Sequence, residues 1–384
     1  MRLAIVCREF PPMSGGIGEA VKVLSEGLSG RGHLCTIVTD RNHQVSNDIL
    51  EAVSVRASGP DPLFHAVFAR NAVRFLRSRW GSFDLVSLHF PECLFVPFFM
   101  KPDMLRRAFA TVHTSAWGLK AKVYHRARLA ELSEAEIADR FAGSTASVAV
   151  EKVALSKIPH IAAVSRSIGE ELTRGYGIRR VSVIPNGGVP FARSDRLLEQ
   201  NRDGIPFSCG VFIGSLRGQK GLFRGLEALK LSTKRPPIVF VGNGPLKTRL
   251  EAYTRKKRLP ATFVGHVDRT ALVARLVSSA FFFFPSFYEG HSMAVLEACA
   301  AGLPVVAFDN TGVQSSISES NRKLLPENGD LRGMAELMDA LADSPSLRAS
   351  LGKANREFST RFSSARMVDA YEEWYLQANS FRWD

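Results

Sequence analysis

The stretch SFYEGHSMAVLEACAAG (286–302) places one glutamate, Glu289, in a polar loop and a second, Glu297, inside a predicted helix. It follows the apolar run AFFFFP (280–285) and precedes PVVAF (304–308), and both runs are typical of buried strands. A strand, a glycine-containing loop, a helix and a second strand form the repeating unit of a parallel sheet. The stretch therefore predicts an α/β fold around the two glutamates.

The same alternation of short apolar runs and helical patterns continues along the whole chain. Twelve runs predict strands, too many for one such sheet, so we expect two α/β units with parallel sheets covered on both faces. The break is expected near NGGVPFARSDRL (186–197), which is rich in turn-forming residues. The predicted strands cover 3–7, 35–39, 52–56, 84–89, 109–113, 160–164, 181–185, 210–214, 237–242, 261–265, 280–285 and 304–308. The predicted helices include 16–31, 165–175, 221–232, 246–258, 268–279, 291–301 and 363–378.

The composition is that of a globular protein, with 45% hydrophobic and 23% charged residues. The five cysteines are never spaced C-x-x-C, which argues against a disulfide framework or a zinc knuckle and for a reducing compartment. The opening MRLAIVCREF is too weakly apolar for a secretory leader, and no apolar run approaches the ~20 residues of a membrane span. We expect a cytoplasmic protein.

The net charge is +13, and basic residues concentrate in one part of the chain. Residues 70–128 contain eleven Lys or Arg and three Asp or Glu. Two segments overlap this range: 64–80 has the pattern of an amphipathic helix, and 117–132 is basic with interspersed apolar residues. Two interpretations stay open: an ordinary solvated face, or contact with an anionic membrane surface or acidic acceptor. No recognisable nucleic-acid-binding module is present.

The loop after the first predicted strand contains SGGIG (14–18) and leads into a helix, where exposed N–H groups form an anion site. The alternative is a dinucleotide fingerprint, with Gly16-x-Gly18 and Asp40 as the ribose-binding acid. Val21 stands where the third glycine of that fingerprint belongs, and the loop is too long. The nicotinamide interpretation is therefore the weaker one.

A second loop, in VFIGSLRGQKGLF (211–223), is predicted between a strand that ends at Gly214 and a helix that starts near Gly221. It contains Arg217 and Lys220. Two cations beside a helix N-terminus suit a diphosphate better than a carboxylate, since each charge-assisted hydrogen bond contributes about 1.5–3 kcal/mol. The alternative is a pair of exposed loop cations without a ligand.

The spacing of the two glutamates suggests a nucleotide-sugar. If the helix begins near His291, Glu297 lies about 9 Å along its axis, roughly the separation of a sugar from a ribose across a diphosphate. Each carboxylate can accept hydrogen bonds from a vicinal diol. The backbone N–H groups of Gly290, His291 and Ser292 would then face the phosphates.

At this point the chain resembles the retaining glycosyltransferases of family 4. FYEGHSMAVLEACAAGLPVVAF (287–308) looks like their two-glutamate signature, and several weaker motifs occur in the right order. The others are FPPMSGGIGEAVKVLSEGLSGRGH (10–33), AAVSRSIGEEL (162–172), VIPNGG (183–188), GSLRGQKG (214–221), VGNGPL (241–246), FVGH (263–266) and FFPSFYEG (283–290).

The resemblance implies the GT-B fold, in which two Rossmann-like domains with doubly wound parallel sheets face a cleft. The domain 1–190 would bind the acceptor and the domain 191–360 the nucleotide-sugar donor. The C-terminal helix, 361–384, would cross back to pack on the N-terminal domain.

The resemblance also assigns roles to individual residues. Glu289 would contact the hydroxyls of the donor sugar, Glu297 the ribose, and Arg217 with Lys220 the departing diphosphate. Catalytic roles are implied for Glu289, His113, Arg217 and Lys220. Donor contacts are implied for Gly16, Arg217, Lys220, Gly265, His266, Glu289, Gly290, His291, Ser292 and Glu297.

The sequence departs from the family pattern at two positions. Many members have arginine directly after the strand glycine, where this chain has Ser215 and then Arg217 two residues later. Which cation meets which phosphate is therefore open. His291 occupies a position that is more often aromatic or small.

The implied activity is retaining transfer of a hexose-type sugar from a nucleoside-diphosphate sugar to a hydroxyl of a glycan, lipid-linked or small-molecule acceptor. No Asp-x-Asp dyad is placed to bridge phosphates through a metal, so we expect neither a metal nor another cofactor. The alternatives are a GT-B epimerase or phosphorylase, and a non-catalytic nucleotide-sugar-binding protein. The expected location is cytoplasmic, at the inner face of the membrane if the basic segments contact lipid.

Overall fold

The computed structural model describes residues 1–11, 15–40, 49–57, 63–124, 127–138, 140, 144–188 and 209–379. The chain divides into two compact units. The first contains Met1–Leu119, Gly143–Gly187 and Ser364–Asp384, and the second contains Lys120–Ala142 and Gly188–Ser363. The predicted break at 186–197 lies mostly outside the described residues.

All twelve predicted strands are present, each within two residues of its expected bounds. They are β1 (Arg2–Val6), β2 (Leu34–Thr39), β3 (Leu50–Ser54), β4 (Leu85–Phe90), β5 (Ala108–Val112), β6 (His160–Ala163), β7 (Ser182–Val183), β8 (Gly210–Ile213), β9 (Ile238–Val241), β10 (Ala261–Gly265), β11 (Phe281–Phe284) and β12 (Val305–Ala307).

Helices connect nearly all of these strands. The α-helices are α1 (Gly16–Ser29), α2 (Leu63–Ser78), α3 (Val96–Phe99), α4 (Pro102–Arg106), α5 (Ala116–Leu119), α6 (Glu134–Ala138), α7 (Ser144–Ser156), α8 (Arg166–Tyr176), α9 (Leu222–Leu231), α10 (Lys247–Lys257), α11 (Arg269–Ser278), α12 (Met293–Ala300), α13 (Thr311–Gln314), α14 (Glu319–Arg322), α15 (Leu331–Asp343), α16 (Pro345–Ser359) and α17 (Ser364–Asn379). A short π-helical turn, Lys120–Tyr124, follows α5.

The first unit is a seven-stranded sheet in the order β3-β2-β1-β4-β5-β6-β7, with every pair parallel. All residues of β4 and β5 are buried. A parallel sheet needs helices on both faces, which explains why its central strands are apolar along their whole length.

The C-terminal helix α17 belongs to this first unit and completes its core. Met367, Val368, Tyr371 and Tyr375 are buried in the same apolar cluster as β1 and α1. The Tyr375 hydroxyl donates to Ser87 Oγ on β4 over 2.8 Å. The apolar stripe on α17 therefore packs against the sheet of the first unit.

The second unit is a five-stranded parallel sheet in the order β10-β9-β8-β11-β12. Its core is unusually aromatic, because β11 is FFFF and all four side chains are buried. Gly210 on β8 pairs with Phe281, and a Cβ at Gly210 would lie 2.4 Å from the Phe281 ring. The glycine makes room for the ring of its neighbour.

The grouping of residues 120–142 differs from the sequence prediction. The predicted N-terminal domain, 1–190, included them, but the described residues among them, 120–124, 127–138 and 140, group with the second unit. The physical reason is a set of ion pairs and hydrogen bonds to that unit, such as Glu131 with Arg224. Local patterns do not report contacts of this kind.

In each sheet the chain order reverses once, between β1 and β4 in the first unit and between β8 and β11 in the second. At such a switch point the connections leave in opposite directions, so a crevice opens outside the carboxyl ends of the two strands. Ligands of open α/β sheets bind there.

Among the described helices, none combines the length and apolarity that crossing a bilayer requires.

Candidate active site

The second unit's switch point is lined by the loops that the sequence selects. The loop after β8 carries Arg217 and Lys220, and the loop after β11 carries Glu289. Because β8 and β11 are neighbours in the sheet, their following loops meet. The fold thus brings together segments about seventy residues apart in sequence.

Lys220 and Glu289 form an ion pair, with Nζ 2.6 Å from Oε1. Lys220 ends a 3₁₀ turn, Gly218–Lys220, and its side chain is 16% exposed against 8% for Glu289. Ser286 Oγ also donates to Glu289 Oε1, over 2.5 Å. Arg217, which precedes the turn, is exposed, as is Ser215.

The backbone around this ion pair is closely packed. Gly221 has φ +60°, and a Cβ there would lie 2.1 Å from the carbonyl oxygen of Pro285. Gly312, in α13, lies equally close to Glu289, since its Cβ would be 2.1 Å from the Glu289 carbonyl oxygen. Two glycines therefore allow the neighbouring loops to approach the glutamate.

The helix after Glu289 begins later than the sequence predicts. Its first residue is Met293, and Ser292 is the N-cap, with Oγ accepting from the Val295 N–H over 3.5 Å. The prediction of a start near His291 is wrong by two residues, because the serine side chain provides the cap. Glu297 then lies about 6 Å along the axis from the helix start, not about 9 Å.

Glu297 pairs with a residue that the sequence analysis missed. Arg269, the first residue of α11, contacts the Glu297 carboxylate through Nη1. The Glu297 side chain is 11% exposed and that of Arg269 is 45% exposed. No local motif marks Arg269, since the contact spans two helices.

His291 is buried, and its ring lies 4.9 Å from the ring of Phe362. Burial lowers the pKa of His291 to about 4. The side chain is therefore neutral at physiological pH and packs against an aromatic neighbour.

Gly265 and His266, which were predicted to contact the donor, lie at the end of β10. Gly265 has φ +77°, a conformation that favours glycine, and a Cβ there would lie 3.6 Å from Asn243 Oδ1. His266 follows it and is exposed. The turn thus leaves an accessible imidazole beside the carboxyl end of β10.

Two predicted site residues, Gly16 and His113, lie in the first unit. Gly16 is the first residue of α1, after the loop in which the Gly15 N–H donates to Glu9 Oε2 over 3.1 Å. His113 directly follows β5 and is buried. Residues 12–14 of the predicted glycine loop lie outside the described part of the chain.

His113 is linked to a second buried histidine. Its Nε2 lies 3.0 Å from Nδ1 of His89, whose Nε2 lies 3.4 Å from Ser87 Oγ. Burial lowers the pKa of His113 to about 3 and that of His89 well below its usual value. Both rings are therefore neutral at physiological pH, and the contact is a hydrogen bond between two uncharged imidazoles.

Within the described ranges, no three His, Cys, Asp or Glu side chains come together as metal ligands would. The segments that follow β8, β10 and β11 carry Arg217, Lys220 and Arg269 together with the two glutamates. This arrangement can bind anionic and polyhydroxylated groups.

Comparison with known proteins identifies the family. The profile of the family Glycosyltransferase Family 4 matches residues 14–188, and that of Glycosyl transferases group 1 matches residues 209–358. The chain belongs to the group 1 glycosyltransferases of family 4. It is a glycosyltransferase with two Rossmann-like parallel-sheet units, the GT-B architecture.

Relatives of this glycosyltransferase cover nearly its whole length. A glycogen synthase of Mycobacterium tuberculosis is 26% identical over 98% of this chain and 95% of its own. Sucrose-phosphate synthase from Thermosynechococcus elongatus has a similar fold, with a TM-score of 0.79, 21% identity and 99% of both chains covered. Anabaena HepE, solved in complex with UDP-glucose, gives a TM-score of 0.73 at 14% identity, covering 98% of this chain and 100% of its own.

The neutral state of His291 in this glycosyltransferase has a consequence for its stability. An unfolded histidine titrates near pH 6.5, so between about pH 6.5 and 4 the unfolded chain binds a proton that folded His291 does not. The stability that neutral His291 contributes is complete above that window and is lost as the pH falls through it. We expect His291→Leu to lessen the loss of unfolding free energy between about pH 6.5 and 5 by roughly 1–2 kcal/mol.

Denaturant titrations of both proteins at several pH values measure this difference. The comparison depends on the pH slope, so a general loss of stability in the variant does not obscure it. Equal slopes would show that folded His291 takes up its proton as readily as the unfolded residue does.

Proposed function

We propose that this glycosyltransferase transfers a hexose-type sugar from a nucleoside-diphosphate sugar to an acceptor hydroxyl, with retention of configuration and without a metal ion. The observation that carries the proposal is the buried ion pair of Lys220 and Glu289 at the second unit's switch point. A lysine and a carboxylate side by side offer partners for a phosphate and for sugar hydroxyls.

The donor would lie along the two loops. Its diphosphate would meet Lys220, Arg217 and the N-terminal backbone amides of α12, while Glu289 would hold the sugar hydroxyls. Glu297, held by Arg269, would accept from the ribose. Support for this class of donor comes from HepE, which was solved with UDP-glucose.

The base would lie at the end of β10, against the backbone at Gly265 and His266. The two residues of the first unit, Gly16 and His113, are proposed to act from the acceptor-binding side. His113 is neutral and hydrogen-bonded to His89, so it would serve as a hydrogen-bonding group and not as a charge.

The chemistry follows from where charge develops. As the bond from the anomeric carbon to the phosphate oxygen breaks, negative charge grows on the diphosphate and positive charge on the sugar ring. Lys220 and Arg217 stabilise the leaving group and replace the countercharge that a metal would supply.

Glu289 is bonded to Lys220 and Ser286, which favours an orienting role over that of a nucleophile. Attack would then occur on the face that the leaving group departs from. The acceptor oxygen bonds to the anomeric carbon while its proton passes to the departing phosphate oxygen. This sequence retains configuration without a covalent enzyme intermediate.

We further infer that the protein acts at the cytoplasmic face of an anionic membrane, through α2. Arg70, Arg74 and Arg77 are exposed and line a groove of about 380 Å³ with Val73 and Phe99. Phe98 and Phe99 beside it are 42% and 36% exposed. Cations around exposed aromatic rings suit phosphate headgroups and the outer part of the acyl layer.

The second basic segment, 117–132, is a poorer candidate for lipid contact. The Glu131 side chain pairs with Arg224, and Leu132 is fully buried. Lys122 Nζ lies 3.3 Å from Thr311 Oγ1. Much of the segment is therefore engaged in contacts within the protein and is not available to lipid.

The two glutamates are expected to differ in kinetic effect. Glu289→Ala should abolish turnover or lower kcat by more than about 10²-fold, since it removes the group that orients the reacting sugar. Glu297→Ala should chiefly raise the donor KM, by about tenfold, because its contact lies away from the reacting bond. Initial rates with the nucleotide-sugar that the wild-type enzyme uses measure both effects. Glu336→Ala is the control, because Glu336 is an exposed glutamate of α15. Unchanged kinetics in both site variants would refute the assignment.

The role of Lys220 is testable without knowing the acceptor. Thermal shifts with UDP, GDP, ADP and their sugars identify the nucleotide, because a ligand bound only to the folded state raises its stability. Calorimetry on Lys220→Ala should then show about 10- to 100-fold weaker binding of that nucleoside diphosphate. Lys230→Ala, an exposed lysine at the end of α9, is the matched control. Equal affinities for wild type and Lys220→Ala would remove Lys220 from the site.

Membrane contact through α2 predicts salt-sensitive binding to vesicles. Wild-type protein should sediment with phosphatidylserine-containing liposomes at low salt and less so at high salt, since the attraction is electrostatic. Arg70→Ser/Arg74→Ser should abolish sedimentation, whereas Arg179→Ser/Arg180→Ser, two exposed arginines of the same unit, should not. Failure of the wild-type protein to sediment would end the hypothesis.

A further inference from the structure

Residues 127–138, which we call the strap, pack within the second unit. The chain reaches the strap after α5 and afterwards continues into α7, both elements of the first unit. The strap consists of the 3₁₀ turn Leu129–Glu131 and the short helix α6. A segment flanked by the first unit therefore forms part of the donor-binding unit.

Two arginines of the second unit anchor the strap. Arg224 Nε lies 3.1 Å from Glu131 Oε1, and both side chains are largely buried. Arg249 donates from Nη1 to the Leu132 carbonyl over 2.8 Å and from Nη2 to the carbonyl of Ala130. Leu132 itself is fully buried, so the strap is a firmly held part of the unit.

Glu136 of the strap reaches the loop that carries the proposed phosphate-binding cations. Its Oε2 accepts from the Gly218 N–H over 3.0 Å, and its Oε1 accepts from the Gln219 N–H over 3.1 Å. Ser133 Oγ donates to the same carboxylate over 2.7 Å. Two consecutive backbone amides of the 3₁₀ turn are thus bound by one carboxylate.

The contact leaves no room for a side chain at position 218. A Cβ on Gly218 would lie 2.6 Å from Leu132 Cδ2 and 2.9 Å from the Glu131 carbonyl oxygen. The strap and the 3₁₀ turn therefore touch backbone to backbone.

The opposite side of the same turn contacts the Glu289 loop. The Gln219 carbonyl accepts from the Phe287 N–H over 3.0 Å, and Gln219 Nε2 donates to the Tyr288 carbonyl over 2.9 Å. Lys220 follows and pairs with Glu289 at 2.6 Å. The turn lies between the strap and the glutamate that it orients.

From this arrangement we infer that Glu136 is a positioning residue for the donor site. Its carboxylate accepts hydrogen bonds from the N–H groups of Gly218 and Gln219. These bonds hold the turn in the position at which Lys220 contacts Glu289 and would contact the donor diphosphate. The inference rests on the proposed function in that the diphosphate is the ligand. The effect on the turn itself is independent of any ligand.

The charge of Glu136 and its hold on the turn would change nucleotide affinity in opposite directions. Binding measurements can therefore distinguish the two roles. A carboxylate near the diphosphate repels it, so if Glu136 acted only through its charge, removing that charge would strengthen nucleotide binding. If Glu136 acts by holding the turn, removing it weakens binding. Glu136→Ala removes both hydrogen bonds, and Glu136→Gln removes the charge but keeps an amide oxygen that accepts from an N–H.

Calorimetry on the full chain, with the nucleoside diphosphate selected by thermal shift, distinguishes the two. We expect about tenfold weaker binding for Glu136→Ala and a smaller loss for Glu136→Gln, as for the loss of one or two hydrogen bonds. Glu134→Ala, an exposed glutamate on the same short helix, should bind like wild type. Tighter or unchanged binding in both Glu136 variants would overturn the inference.

Hydrogen exchange provides a readout that needs no nucleotide. In Glu136→Ala, amides of 218–221 and 286–290 should exchange faster than in wild type and in Glu134→Ala, while the strands β8 and β11 keep their protection. Unchanged exchange in both loops would overturn the inference. If wild-type protein binds no nucleoside diphosphate, the proposed function fails, and the exchange comparison still decides whether Glu136 holds the turn.

Discussion

The ion pair between Lys220 and Glu289 is the contact on which the loop arrangement of the second unit depends. It joins the loops that follow β8 and β11, two strands that are neighbours in the sheet but distant in sequence. Burying two charges costs desolvation energy, which close approach and further hydrogen bonds must offset. Here the Ser286 hydroxyl supplies such a bond to the glutamate. An apolar pair of similar volume would pack with less desolvation cost, so the charges are consistent with the ligand-binding role proposed for them.

Close backbone contacts hold this ion pair in place. Gly221 lies against the Pro285 carbonyl and Gly312 against the Glu289 carbonyl, at distances that exclude any Cβ. On the outer side, Glu136 binds the amides of the turn that leads to Lys220. The ionic contact is therefore set by loops with little freedom to move, which is the condition for preorganised electrostatic stabilisation.

In the first unit, too, side-chain contacts join residues that are far apart in the chain. The C-terminal helix α17 places the Tyr375 hydroxyl 2.8 Å from Ser87 Oγ. Ser87 in turn neighbours His89, which is hydrogen-bonded to His113 at the end of β5. Helix α17 thus continues a buried polar row that ends at a predicted site residue. Because the rings are neutral, the row orients groups without introducing charge.

The sequence alone determined the strands, the α/β class and the glutamate and lysine loops. Strand identity depends on local apolar runs, and loop identity depends on glycine and charge next to those runs, so both are visible in short windows. The tertiary structure decided the later start of α12 at Met293, the pairing of Arg269 with Glu297, the place of the strap and the contact of Glu136 with the 3₁₀ turn before α9. Each of these except the helix start joins residues that are far apart in the chain, and the helix start depended on which of several neighbouring residues supplied the cap. These features depend on side-chain contacts and caps that the periodicity of the sequence does not indicate.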